Sequence, residues 1–162
     1  MFQDKNIFLS LIQFLIWFIM FSNSVKYALK AVLFLAVHSD EDHKIMAKDI
    51  AKSINVPQAY IAKLLQELTK QKIVSSTKGI YGGFYLTNLN AEQPVINIIE
   101  AIDGPYKMNS CLLSLENCNE QVPCPLHHIA NPMRSQLIEN LRIKAIEDLA
   151  EEIKSGITFL PL

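Results

Sequence analysis

Apolar positions along this chain change rhythm twice. Between Ile45 and Ile54 the apolar residues Ile45, Met46, Ile50, Ala51 and Ile54 fall at helical spacing, on one face of a short helix. Asn55-Val56-Pro57 interrupts the pattern, and a second stripe of Ile61, Leu64, Leu65 and Leu68 follows within Gln58–Lys72. Asn55 is suited to cap that second helix, Pro57 lacks the N–H that a first turn leaves unpaired, and Gln58 completes a capping box. The outer positions are Gln58, Lys63, Gln66, Glu67 and Lys70. The rhythm then becomes that of strands: Ile73–Thr77 and Phe84–Leu86 flank the turn-forming Lys78-Gly79-Ile80-Tyr81-Gly82-Gly83. Paired short helices at a tight break, followed by a glycine-tipped hairpin, predict a winged helix-turn-helix. The fold class expected is mainly α with a small β wing.

The remaining elements are arranged around this unit. Ser24–His38 is apolar nearly all round, which predicts a central buried helix. Asn88–Pro94 reads as a linker, and Val95–Ile102 as a short helix stopped by Asp103-Gly104-Pro105. Tyr106–Pro125 has no period. A final helix is expected from about Pro132 to Ser155, its stripe being Leu137, Ile138, Leu141, Ala145, Leu149 and Ile153, a form suited to pairing with a second copy of the chain. The organisation expected is therefore a winged helix-turn-helix over 20–104, a cysteine-bearing loop over 105–128, and a dimerisation helix and tail over 129–162. Residues 1–19 form an apolar extension. The run Ile7–Phe21 is broken only by Ser10 and Gln13, and is shorter than the roughly 20 residues that span a bilayer. Initiation at Met20 is the favoured reading, with a membrane-proximal helix as the alternative, and the protein is expected in the cytoplasm.

Half of the residues are hydrophobic and the net charge is −1, so a core is assured and overall charge does not point to nucleic acid. The distribution does. From Lys44 to Lys78 there are seven lysines (44, 48, 52, 63, 70, 72 and 78) against Asp49 and Glu67. Acids gather instead at Asp40-Glu41-Asp42 and at Glu147, Asp148, Glu151 and Glu152. A basic patch confined to the helix-turn-helix is an electrostatic footprint for phosphates. Nothing suggests an enzyme or a small-molecule substrate: there is no nucleophile–base pair, no phosphate loop and no paired carboxylates. Gly79-x-x-Gly82-Gly83 lacks the helix that a dinucleotide fingerprint requires.

The three cysteines read Cys111-x6-Cys118-x5-Cys124, with His127 shortly after. An odd, clustered set in a chain with a cytosolic task is poorly explained by disulfides. Zinc accepts three thiolates and an imidazole tetrahedrally; iron–sulfur clusters also take thiolates, with histidine in some two-iron centres. The long gaps suit a larger inorganic core. Unligated, redox-active thiols are the remaining reading.

Tyr27-Ala28-Leu29, Asp49-Ile50-Ala51, Tyr60-Ile61, Lys78-Gly79 with Gly82-Gly83-Phe84-Tyr85-Leu86, Ile99-Glu100-Ala101-Ile102-Asp103-Gly104 and the three cysteines together resemble the winged-helix Rrf-two family of bacterial regulators. The resemblance covers roughly Met20 to Leu162. It implies a homodimeric transcription factor binding double-stranded DNA under control of an iron–sulfur cluster. By the resemblance, Cys111, Cys118 and Cys124 match the cluster cysteines. His127 matches the histidine of the IscR branch, which implies a 2Fe–2S cluster. Lys26 stands where the NsrR branch carries an aspartate ligand, and Ala62 where members often carry an acid. No arginine precedes Arg134. Lysine binds phosphate as a point charge without the bidentate fork that reads guanine. Lys48, Lys63 and Lys78 are therefore expected on phosphates and Gln58 and Tyr60 at base edges, with Tyr81, Gly82 and Gly83 completing the DNA surface at the wing.

Overall fold

Ser22 caps the first helix of the described residues, α1 (Asn23–His38), its Oγ accepting the Val25 N–H at 3.1 Å and donating to Asp103 Oδ1 at 2.7 Å. The computed structural model describes residues 21–162; the apolar run before Phe21 and the expected start at Met20 lie outside the described residues. Val25, Ala28, Ala31, Val32 and Leu35 of α1 are fully buried, as its all-round apolar character predicts. Among the described residues no helix is long and apolar enough to cross a membrane.

The helix-turn-helix consists of α2 (Ala47–Ser53) and α3 (Gln58–Lys70). Its turn is made differently from the expectation. Asn55 does not cap α3: it takes the left-handed conformation (φ +54°). This lets the N–H groups of Val56 and Asn55 return to the Ala51 and Lys52 carbonyls at 3.0 and 3.4 Å, the Schellman arrangement that ends a helix. Pro57 is the N-cap of α3, with its carbonyl accepting from Tyr60 and Ile61. Asparagine tolerates that backbone better than most residues, so the turn belongs to the end of α2 rather than to the start of α3.

The wing pairs β1 (Ser75–Thr77) with β2 (Gly83–Tyr85) antiparallel, Ser76 opposite Phe84. Ile45 adds a third rung, exchanging both backbone hydrogen bonds with Phe84 at 2.9 Å. Close approach explains the glycines. A Cβ on Gly83 would lie 2.8 Å from the Ile45 carbonyl oxygen, and one on Gly82 would collide with the Thr77 carbonyl oxygen.

The expected linker is instead a short helix, α4 (Asn88–Ala91), started by a Thr87–Asn90 capping box. Asn90, only 6 % exposed, accepts from the Thr87 N–H and from the hydroxyls of Thr87 and Ser75, and donates to the Lys72 carbonyl at 2.7 Å. One buried amide thus ties the end of α3, the first wing strand and the chain leaving the wing.

Next comes α5 (Ile96–Asp103), stopped at Gly104 with φ +84°. A 3-10 turn, Lys107–Asn109, buries Met108 before the cysteine loop. The single terminal helix is two: α6 (His127–Ile143) and α7 (Ile146–Lys154). It begins earlier than Pro132 because the His127 N–H turns back to the Cys124 carbonyl at 3.0 Å. It breaks at Lys144-Ala145, where the chain pairs with the Gln93–Val95 segment: Val95 N–H donates to the Lys144 carbonyl at 2.9 Å, and Ile146 N–H to that of Gln93 at 3.0 Å. Asp148 Oδ2 accepts the Ala145 N–H and restarts the helix. The predicted stripe is accordingly divided. Ile138 joins a core with Ile96, Ile99, Phe21 and Val25, with Leu137 packed against it. Leu149 instead packs against the helix-turn-helix core beside Ile146, a buried residue outside the stripe, as α7 packs on α1.

Asn90→Ala removes an acceptor for several donors at once, so we expect a loss of about 2–3 kcal/mol, read as a lowered Tm in thermal unfolding. Unchanged stability would contradict the role given to this amide.

Candidate sulfur centre and nucleic-acid interface

The cysteine loop is shaped by local turns. The Ser114 N–H reaches the Cys111 carbonyl at 2.9 Å, and Asn119 Oδ1 gathers the Gln121 and Val122 N–H groups, each at 2.9 Å. These turns bring Cys111, Cys118 and Cys124, all free thiols, within 4.8 Å of one another. Two closer pairs stand out: Cys111 Sγ–Cys124 Sγ at 3.7 Å and Cys118 Sγ–His127 Nδ1 at 3.3 Å. His127 opens α6, and its Nε2 is buried without a hydrogen-bond partner. The group faces a cavity of about 240 Å³ whose wall includes Ala130, Asn131 and Arg134 from the next turns of α6.

Thiol chemistry differs between the sulfurs. The Leu115 N–H, with that of Leu113 and the neighbouring thiols, outweighs burial and draws Cys111 from 9.0 down to about 7. At Cys118 the Cys124 N–H acts to lower the thiol, but burial and the Cys124 and Cys111 sulfurs push it above its ordinary value. A tetrahedral ion with thiolates at 2.3 Å sets sulfurs about 3.8 Å apart, close to the Cys111–Cys124 separation. Soft donors, a spare imidazole nitrogen and an adjoining cavity fit zinc or an iron–sulfur cluster.

The predicted DNA-contacting residues separate into two groups. Gln58, Ala59, Lys63, Gln66 and Lys70 form the exposed ridge of α3, opposite its buried leucines. Lys48 on α2 and Lys78 at the wing are also exposed. None of Lys48, Lys63 and Lys78 is in an ion pair among the described residues; Lys70 is, with Glu67 at 3.0 Å. At the wing tip Ile80 and Tyr81 are 81 % and 92 % exposed. Tyr60 is employed otherwise. Its hydroxyl shares a 2.7 Å hydrogen bond with Ser24, and its ring meets Tyr27 edge-on at 5.9 Å. It fastens α3 to α1 rather than facing out with Gln58, which corrects the expectation of Tyr60 at base edges. Gly82 and Gly83 serve backbone packing in the wing. Lys44, part of the basic count, lies 5.5 Å over the Tyr85 ring.

Sequence reasoning missed Arg134, although a helix starting at His127 would have put residues 127, 130, 131 and 134 on one stripe. It missed Asn90 because a buried amide leaves no periodic trace.

The Rrf2 family model, whose description is an iron-dependent transcriptional regulator, matches residues 21–152. An HTH-type transcriptional regulator of Aquifex aeolicus is 36% identical over 131 residues, spanning 80% of this chain and 90% of its own. The HTH-type transcriptional regulator IscR of Photorhabdus laumondii is 28% identical over 124 residues, 76% of this chain and 74% of its own. Among solved structures, CymR, the global cysteine regulator of B. subtilis, superposes with a TM-score of 0.63 at 26% identity, covering 80% of this chain and 95% of that one. IscR of T. potens gives 0.64 at 21% identity, over 86% and 91%, a likeness of fold.

In metal-free protein near neutral pH, Cys111, drawn down to about 7, is expected to carry more thiolate than Cys118, which is pushed above its ordinary value. Alkylation followed by peptide mass mapping should label Cys111 first, its rate rising through pH 7 and levelling above it. Equal rates for the two would contradict this.

Proposed function

Because the chain belongs to the Rrf2 family of transcriptional regulators, we propose that it is a homodimeric DNA-binding regulator whose affinity is set by an iron–sulfur cluster on Cys111, Cys118, Cys124 and His127. The observation that carries this reading is the gathering of those sulfurs, with an orphaned imidazole nitrogen, at the start of α6. The two close pairs, Cys111 with Cys124 and Cys118 with His127, suit a 2Fe–2S core with two ligands on each iron. Such a cluster would supply a one-electron couple and sensitivity to oxidants, nitric oxide or iron supply.

The chain's own residues supply the rest. The exposed ridge of α3 enters the major groove, with Gln58 at base edges and Lys63 on phosphate; Lys48 and Lys78 hold phosphates on either side. Ile129 and Ile143, 56 % and 70 % exposed on one side of α6, offer apolar contacts to a second copy. Binding as a pair requires the two reading helices to lie one turn of DNA apart, roughly 34–36 Å. Ordering the 105–128 loop around its ligands fixes the start of α6, and through it this spacing. The reading places the protein in the cytoplasm.

A second reading has support from Cys111, whose thiol is drawn down to about 7, and from the resemblance to CymR. In it the cysteines carry no metal and respond to oxidants by thiol chemistry.

Protein purified without oxygen should contain iron and sulfide and absorb in the visible, and Cys118→Ala should lose most of that absorption. A colourless protein holding zinc, or bare thiols, would reject the cluster. Lys63→Gln should weaken binding to all duplexes alike and reduce the slope of log affinity against log salt by about 0.9. A change confined to one sequence would instead mark Lys63 as a base reader.

A further inference from the structure

Arg134 is one of two arginines in the chain, and it sits where a cation is hard to keep. It is 8 % exposed and lines the cavity beside Cys111, Cys118 and Cys124. Among the described residues it has no ion pair and no stacked ring. Glu120, the one carboxylate on the cavity wall, is exposed and unpaired with it. A guanidinium does not escape burial by losing its proton, so an Arg in this position demands an anion. The sulfurs are the groups at hand able to become one. His127 and Arg134 lie two turns apart on the same stripe of α6, which points both at the cavity.

We infer that Arg134 is a positioning residue of the sulfur centre, the fixed counter-charge to the thiolates and to the inorganic core they hold, and that it governs how readily that core accepts an electron. The inference rests on the cluster reading above and concerns a residue outside the ligand set. Two ferric irons and two sulfides between three thiolates and a neutral imidazole carry one net negative charge. One electron from an external one-electron reductant adds a second, breaking no bond and moving no proton. The attraction of a fixed cation grows with that added charge, so Arg134 favours the reduced state.

The test is a reductive titration of the full-length, anaerobically purified protein with dithionite and redox mediators, followed by its visible absorption. Arg134→Gln should lower the reduction equilibrium constant roughly tenfold, a potential about 59 mV more negative. Arg134→Lys should stay near wild type. A coloured Arg134→Gln protein with the wild-type potential overturns the role of Arg134 and leaves the cluster standing. A wild type without iron overturns the cluster and this role together. If Arg134→Gln sheds its iron, the lysine variant decides: retained iron at the wild-type potential supports the charge, and loss of iron there too overturns it.

Discussion

Ile98 and Ile99 are neighbours in sequence, fully buried, and members of different cores. Ile98 packs with the helix-turn-helix residues Ile50, Leu65 and Leu68; Ile99 packs with Met108, Ile138 and Val25, next to the cysteine loop. Helix α5 is therefore a wall shared by two compartments, touching α1, α3 and α6. At the far end Asp103 receives the Ser22 hydroxyl of the α1 cap, and at the near end the backbone pairing with Lys144–Ile146 holds α6 and α7 in place. Burying one Ile is worth roughly 1.5–3 kcal/mol, and allosteric coupling typically amounts to about 1–3 kcal/mol. With Ile96, Ile98 and Ile99 all buried, a switch of that size would not peel α5 from either core. Under the proposed function, a change at the start of α6 would be passed on by rigid-body displacement of α5 rather than by unpacking.

The candidate sulfur centre is built largely on a loop without regular secondary structure. Its loop has few buried side chains, Met108 and Cys124 being its main anchors, and its shape comes from turns around Ser114 and Asn119. His127 and Arg134, by contrast, are carried by a regular helix. Thiols on a turn-built loop facing an imidazole and a guanidinium on a regular helix form an arrangement whose order would depend on what joins them.

Much of this was legible in the sequence, for identifiable reasons. The faces of α1 and α3 follow from helical periodicity, and so do Ile50 and Ala51 on α2. Ile45, expected on that same helical face, instead pairs with Phe84 in a β-bridge, and Met46 forms the exposed N-cap of α2. The wing follows from Gly82 and Gly83, which no other residue could replace against Thr77 and Ile45. The site cysteines were visible as an odd, spaced set. What was hidden depended on partners distant in sequence. The stripe from Leu137 to Ile153 reads as one helix until Gln93–Val95 supplies the backbone partners that break it. Asn55 looked like a cap because its chemistry suits both a cap and a left-handed turn. Tyr60 looked free because nothing near it announces Ser24 and Tyr27, more than thirty residues earlier.

Control of the reading helix by the sulfur centre is read from DNA affinity on one preparation, before and after its iron is chelated. A duplex recovered by in vitro selection with either form, titrated by fluorescence anisotropy at fixed salt, provides the reading. Dissociation constants differing by about fivefold or more are expected. Equal affinities for loaded and stripped protein, both still dimeric, would contradict such control.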